Sequence, residues 1–380
     1  MSWEKVRLGD VTDSCLGKML DQHKNKGDLH PYLANINVRW GNFELDNLPQ
    51  MRFEDSENER YGIQYGDLIV CEGGEPGRCA IWKEQIPNMK IQKALHRIRV
   101  HDCLDYRYLY YWFLWAGKRG ELEQYFTGST IKHMPGEKLK SIVIDMPPLN
   151  TQRYIASILS AYDDLIENNQ KQIKLLEEAA QRLYKKWFVD LRFPGWENTK
   201  IVDGVPEGWE RATVGSLLRK ISRTKQILAC DYQIDGTIPI IDQSRDFIAG
   251  YTNNTEARIE LNEPIIVFGD HTRILKYITF PFAKGADGTQ LIISSSDRMP
   301  QSLFYFSLIH VDLSNYHYAR HFKYLKESVV LVPTRIIAQS FDSIVQSIMS
   351  RIQVLRDNSF KAIKVRNQLI PKLMSKETEV

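Results

Sequence analysis

The chain has 380 residues, with 43% hydrophobic and 26% charged side chains and a formal net charge of +3; that is the composition of a soluble globular protein, and the charge alone does not announce a nucleic-acid binder. The length exceeds one ordinary core and predicts two domains or more. Five cysteines (Cys15, Cys71, Cys79, Cys103, Cys230), none spaced CxxC, predict reduced thiols instead of a disulfide framework or a zinc site. No apolar run approaches 18 residues, and Met1-Ser2-Trp3-Glu4-Lys5 does not read as a signal peptide, so a cytoplasmic location without membrane contact is expected.

Taken in chain order, the sequence is written twice. Trp3-Glu4-Lys5-Val6-Arg7-Leu8-Gly9-Asp10 returns as Trp209-Glu210-Arg211-Ala212-Thr213-Val214-Gly215-Ser216, at an offset of 206. Each copy opens a β-rich region with an apolar strand after an acidic turn, Asp67-Leu68-Ile69-Val70 in one and Glu263-Pro264-Ile265-Ile266-Val267 in the other. Each region closes on a strand ending in proline: Leu139-Lys140-Ser141-Ile142-Val143-Ile144-Asp145-Met146-Pro147 matches Leu325-Lys326-Glu327-Ser328-Val329-Val330-Leu331-Val332-Pro333, at an offset of 186. The same offset persists through the segments that follow, where Leu183 aligns with Leu369. The β-rich regions therefore diverge in length while the segments behind them keep register, the pattern of one scaffold carrying two different heads.

Those segments predict two long helices. From Leu149 to about Val189 there is no Gly or Pro, and Ile155, Ile158, Tyr162, Leu165, Asn169, Ile173, Leu176, Ala180, Leu183 and Trp187 form a heptad-like stripe with one polar break at Asn169. The second runs from about Ile336 to Met374 on Ile344, Ile348, Ile352, Leu355, Ala362, Leu369 and Leu373, with Pro371 expected to kink or fray its last turn. About 40 residues at 1.5 Å each make a rod of roughly 60 Å, which needs a partner along its length. The expected partner is its own repeat, as an antiparallel coiled coil whose spacer residues are Ile158, Tyr162, Leu165, Ile173, Leu176, Leu183, Ile348, Ile352, Leu355, Leu369 and Leu373. The fold class is α+β with a pseudo-twofold internal repeat; a plain helical-bundle core is the alternative. The expected boundaries are 1–148 and 193–335 for the β-rich domains, and 149–192 and 336–380 for the helices.

Two variable domains alternating with two similar helical regions resemble the plan of type I restriction-modification specificity subunits. The resemblance runs from Trp3 to about Met374. Its local signals are the run from Gly66 to Trp82, Thr127-Gly128-Ser129-Thr130-Ile131-Lys132-His133, Met146-Pro147-Pro148-Leu149, Val267-Phe268-Gly269-Asp270-His271-Thr272-Arg273, and the run from Phe282 to Gln290. The resemblance implies that each β-rich domain is a target-recognition domain for one half of a bipartite double-stranded DNA site. It implies that the coiled coil sets the unread gap and docks two adenine-specific DNA methyltransferase subunits, and that restriction subunits join. No cofactor is implied in this chain itself; S-adenosylmethionine, ATP and magnesium belong to the partners. Asp163, Asp164 and Glu167 of the first helix are matched by Met349, Ser350 and Gln353 in the second, so the docking surfaces are expected to differ in electrostatics.

Catalytic signatures are missing. Asp145-Met146-Pro147-Pro148-Leu149 comes nearest to an adenine methyltransferase motif, but Met intervenes and the aromatic is absent, so it reads as a strand-to-helix hinge. Gly73-Gly74-Glu75-Pro76-Gly77 lacks the Lys-Ser/Thr of a phosphate loop and reads as a tight turn. His317 and His321 have metal-ligand spacing without a third ligand, and a surface helix is the competing account. The aromatic run from Tyr106 to Trp115 is expected to pack inside the first domain, with base stacking as the alternative. The chain is thus expected to be no enzyme and to hold no metal. A type II-like specificity protein of the same architecture, a self-sufficient nuclease or methyltransferase, and a coiled-coil scaffold are the competing functions.

Base edges are read by Arg, Lys, Asn or Gln, with basic and hydroxyl groups on phosphates. The candidates are Arg78, Lys90, Gln92, Lys93, His96, Arg97, Lys132 and His133 in the first domain. In the second they are Arg245, His271, Thr272, Arg273, Lys276 and Lys284.

Overall fold

The computed structural model describes residues 3–19, 21, 25–221, 224–285, 287–315 and 320–375. The chain divides into two compact units, Met1–Asn168 with Asn358–Val380, and Asn169–Asp357. Both long helices form, over Leu149–Tyr184 and Arg335–Met374, and each contributes to both units.

In the first unit, strand Glu4–Arg7 pairs antiparallel with Val143–Met146, Glu4 opposite Met146 and Arg7 opposite Val143. In the second, Glu210–Thr213 pairs with Val329–Val332 in the matching register, Glu210 opposite Val332 and Thr213 opposite Val329. The next residue closes both ladders alike: the Leu8 amide donates to the Ile142 carbonyl at 2.7 Å, and the Val214 amide to the Ser328 carbonyl at 2.8 Å. The glycine of each repeat is explained by the same crowding. A Cβ on Gly9 would sit 2.9 Å from the Lys140 Cβ, and one on Gly215 would sit 3.1 Å from the Lys326 carbonyl.

The sheets behind these ribbons share a topology. Leu68–Cys71, buried throughout, lies between Cys79–Ile81 and Leu95–Val100, and Thr12–Leu16 extends the far edge. Ile265–Gly269, equally buried, lies between Leu275–Ile278 and Thr289–Ile292. Beside each stands a short parallel pair, Tyr32 and Leu33 with Lys90 and Ile91 in one unit, Ile240 and Ile241 with Ala283 and Lys284 in the other. Continuous apolar runs in these strands follow from burial on both faces.

The aromatic run is a helix, Tyr106–Lys118, capped by the Asp105 carboxylate, which accepts from the Arg107 and Tyr108 amides. Tyr108, Tyr111, Trp112 and Phe113 are buried in the first unit's core beside Leu8, Ile144, Ile155, Leu159, Ile370 and Leu373. Packing, not base stacking, accounts for them. At the hinge the strand stops at Met146, the helix starts at Leu149, and Gln152 donates from its side chain to the Pro147 carbonyl at 2.8 Å.

Within each unit the two long helices run antiparallel. In the first, Ile155 and Leu159 share a core with Ile370 and Leu373, and Asp163 pairs with Arg366. In the second, Ile173, Leu176 and Ala180 pack with Val345, Ile348, Met349 and Ile352, and Glu177 meets Arg356 at 2.8 Å. Two stripe residues need correction. Leu165 and Ile344 are each 44% exposed, and their neighbours Ile166 and Val345 are buried instead. A 3-4 spacing cannot separate adjacent positions 100° apart that flank the same seam. Asn169, the polar break, is buried. Pro371 does not end its helix, which continues to Met374. The first long helix instead changes its winding at Lys185–Val189, a single π turn that buries Trp187 and Phe188.

Candidate nucleic-acid interface

In both units the loops that leave the parallel pair and the central strand are tied together, and a side-chain amide provides the tie. In the second unit this is Gln243. Its Nε2 donates to the Asp287 carbonyl at 2.9 Å, its Oε1 accepts from the His271 amide at 3.1 Å, and its backbone carbonyl accepts from Thr272 Oγ1 at 2.7 Å. Gly288 has φ +84°, and a Cβ there would lie 2.8 Å from both Gln243 Nε2 and His271 Cδ2, so only glycine lets the loops close. Arg273 also adopts a left-handed φ of 62°, and its Nη1 donates to the Leu313 carbonyl at 3.1 Å. Asp270 turns inward: its carboxylate accepts from the Phe322 amide at 2.7 Å, and its carbonyl accepts from the His321 amide at 3.0 Å.

The first unit places Asn35 where the second has Gln243, two residues past the parallel strand. Asn35 Nδ2 donates to the Gly73 carbonyl, but at 3.4 Å, and its own carbonyl accepts from Arg78 Nη2 at 2.9 Å. Gly74 and Gly77 take φ +80° and +88°, the tight turn expected of this segment. The Glu72 amide donates to the Ala94 carbonyl and the Met134 amide to the Glu72 carbonyl, so loops 72–78, 92–94 and 127–134 converge. His133 Nδ1 lies 3.1 Å from the Glu72 carboxylate, and Gly128-Ser129-Thr130-Ile131-Lys132 forms an exposed tip above it.

These clusters collect part of the shortlist. Gln92, Lys93, Lys132 and His133 lie on the converging loops of the first unit, with Lys93 and Lys132 exposed. Arg78 lies there too, though its guanidinium is committed to Glu75 and Asn35. His271, Thr272, Arg273 and Arg245 are exposed on the loops of the second unit, beside a partly buried Lys284.

Others are drawn inward. His96 is buried, with Nε2 2.8 Å from the Met134 carbonyl, and burial pushes its pKa down although Met134 and Glu72 oppose the shift. Arg97 is buried and donates to the Glu59 and Gly62 carbonyls. Lys276 is buried and its Nζ is 2.5 Å from the Asp246 carbonyl. Lys90 is only 4% exposed, at the wall of a cavity of about 660 Å³ that Arg99, Glu59 and Glu84 also line. These strands are covered on both faces, so His96 and Arg97 are both enclosed although neighbours in a strand point to opposite sides. Sequence reasoning missed Asn35 and Gln243; their signal was the shared position just beyond a strand, visible only once the strands are paired.

His317 lies outside the described residues; His321 opens the helix His321–Glu327, which exposes Lys323, Lys326 and Glu327, but is itself buried with Nδ1 2.8 Å from the Asp270 carbonyl. Among the described residues no group of three or more His, Cys, Asp or Glu could hold a metal ion, and no helix is long and apolar enough to cross a membrane.

Comparison with known proteins meets this geometry. The model of the type I restriction modification DNA specificity domain matches residues 1–178. The type I restriction enzyme MjaIX specificity subunit of Methanocaldococcus jannaschii is 29% identical over 340 residues, 83% of this chain and 78% of that protein. The EcoR124I/EcoR124II specificity subunit of Escherichia coli is 31% identical over a shorter stretch of 100 residues, 26% of this chain and 24% of that protein. The crystal structure of the S subunit from M. genitalium superposes with a TM-score of 0.59 at 17% identity, covering 100% of this chain and 97% of that one, which shows a shared fold. Two similar β-rich units on a duplicated helical scaffold define the fold. The proteins this chain is similar to are type I restriction-modification specificity subunits.

Proposed function

We propose that this chain is the DNA-recognition subunit of a type I restriction-modification complex, each unit reading one half of a bipartite duplex target. The observation that carries the reading is the loop cluster repeated in both units on equivalent strands but built from different residues, Asn35, Gly73 and Gly74 in one and Gln243, Asp270 and His271 in the other. Equal scaffolds with unequal loops suit two different base sequences. The antiparallel helices set the unread gap and dock two adenine methyltransferase subunits, with restriction subunits added. The chain contributes recognition and no catalytic group; S-adenosylmethionine is bound by the methyltransferases, and ATP and magnesium serve the partner subunits. With a net charge of only +3, phosphate neutralisation comes from local basic patches or from the partner subunits.

Methylome sequencing of cells with and without the gene tests this. Loss of adenine methylation at one motif with two defined halves and a fixed gap is the expected result. Loss at a single contiguous motif, or no loss, overturns it.

A further inference from the structure

The second unit carries a clamp that the function so far leaves unused. The loop following strand Ile238–Ile241 holds Gln243, Ser244, Arg245, Asp246 and Phe247, and three groups fasten it. Gln243 ties it to the neighbouring loops. Lys276, buried in the sheet, donates to the Asp246 carbonyl and lies 3.8 Å from the Asp242 carboxylate. The third comes from the long helix: the Arg356 guanidinium sits 3.9 Å over the Phe247 ring centroid while donating to Glu177 Oε1 at 2.8 Å.

The stack is close, and the guanidinium is largely withdrawn from water, where attraction to a ring face is strongest. A cavity of about 290 Å³ lies beneath the loop, lined by Arg245, Phe247, Lys276, Tyr305 and Arg356. The loop therefore rests on Arg356 and Lys276 with space under it, and its path depends on those two holds. Arg245, one residue from Lys276's acceptor, is exposed and has no hydrogen bond or ion pair of its own among the described residues.

We infer that Arg356, through its stack on Phe247, is the positioning residue that sets how the Gln243–Phe247 loop presents Arg245 to the second half of the DNA target. The inference rests on the proposed function and deepens it: a helix residue far along the sequence from the recognition loops governs specificity without touching a base. Loss of the stack lets the loop settle toward the cavity and moves Arg245 off its base pair, with the first half unaffected.

The test uses the full-length chain in its host complex, binding the target duplex and duplexes with single-base changes in either half. Arg356→Ala should lower discrimination in the second half by roughly ten-fold, the scale of one base-pair readout, and leave first-half discrimination intact. Phe247→Ala should do the same, and the double variant should be no worse than either single one, because both break one contact. Arg356→Lys should restore only part of it, since an ammonium lacks the planar face. Phe247→Leu keeps an apolar side chain while removing the ring, so it remains informative if Arg356→Ala does not fold. Weakening that is equal for target and altered duplexes, or losses that add in the double variant, would overturn the inference. A wild-type complex that discriminates in neither half would instead overturn the function on which it rests.

Discussion

The two units solve one packing problem with different chemistry. Both units carry an ion pair between the facing helices, but at positions the repeat does not relate: Glu177 with Arg356 in the second, and in the first Asp163 with Arg366, where Asp163 also accepts from the Tyr111 hydroxyl at 2.5 Å. In the second, the positions related by the repeat are Met349 and Ala180, both buried in the apolar core. A second pair of equivalent sites shows the same division. Lys83, just past strand Cys79–Ile81, reaches Glu167 at 2.5 Å, whereas Thr279, just past Leu275–Ile278, donates to the repeat-related Gln353 at 3.3 Å. The acidic residues that distinguish the first helix divide: Asp163 is paired within its unit to Arg366 and Tyr111, while Glu167 and the more exposed Asp164 lie near Lys83 at the surface. A charge difference between repeats is thus partly internal, as at Asp163, where desolvation makes the charge depend on its partner.

The largest way to break this comparison is Asp163→Ala. It strands the largely buried Arg366 guanidinium and should cost about 3 kcal/mol of stability, read as a lower midpoint in urea unfolding. The double variant Asp163→Met with Arg366→Ala, which installs the second unit's residues in the first, should recover most of that loss. Failure to recover would show that the ion pair, beyond filling space, specifies how the helices meet.

A smaller effect sharpens the contrast between the loop ties. Gln243→Ala removes two side-chain hydrogen bonds that bind three loop segments and should cost about 1–2 kcal/mol, with second-half recognition lost first. Asn35→Ala removes one side-chain bond, a long one at 3.4 Å, and should cost less than half as much. Equal melting losses for the two variants would sink the distinction.

The smallest effect is expected at the strand-to-helix anchors. Lys83 and Glu167 are well exposed, so Glu167→Gln should change stability by under about 1 kcal/mol, and the difference should vanish in high salt. Gln353→Ala should be equally mild but indifferent to salt. A salt-independent loss at Glu167 would mean that its role is not ionic.

The contact shortlist divides along a physical line. Residues in glycine-rich or loop contexts, such as Lys93, Lys132, His271 and Arg273, are at the surface, while His96, Arg97 and Lys276, embedded in strands, are buried. The strands that carry the buried ones are covered on both faces, and the sequence alone does not say how far a sheet is covered. The helix stripes show the same limit: Ile352 and Leu355 are buried as expected, whereas Leu165 and Ile344 lie one position off the seam.

What the linear order determined was the duplication itself. The offsets of 206 and 186 reappear as matching registers in the two ribbons and as the antiparallel run of the helices, because hydrophobic periodicity and strand-closing prolines are local properties that a chain carries wherever it folds. What only the tertiary structure decided was which side chains meet across the fold: Asn35 and Gln243 as loop ties, Asp163 with Arg366, and Arg356 over Phe247. The last two pairs join residues more than 100 positions apart, and their energy depends on distance and burial, which no local pattern encodes.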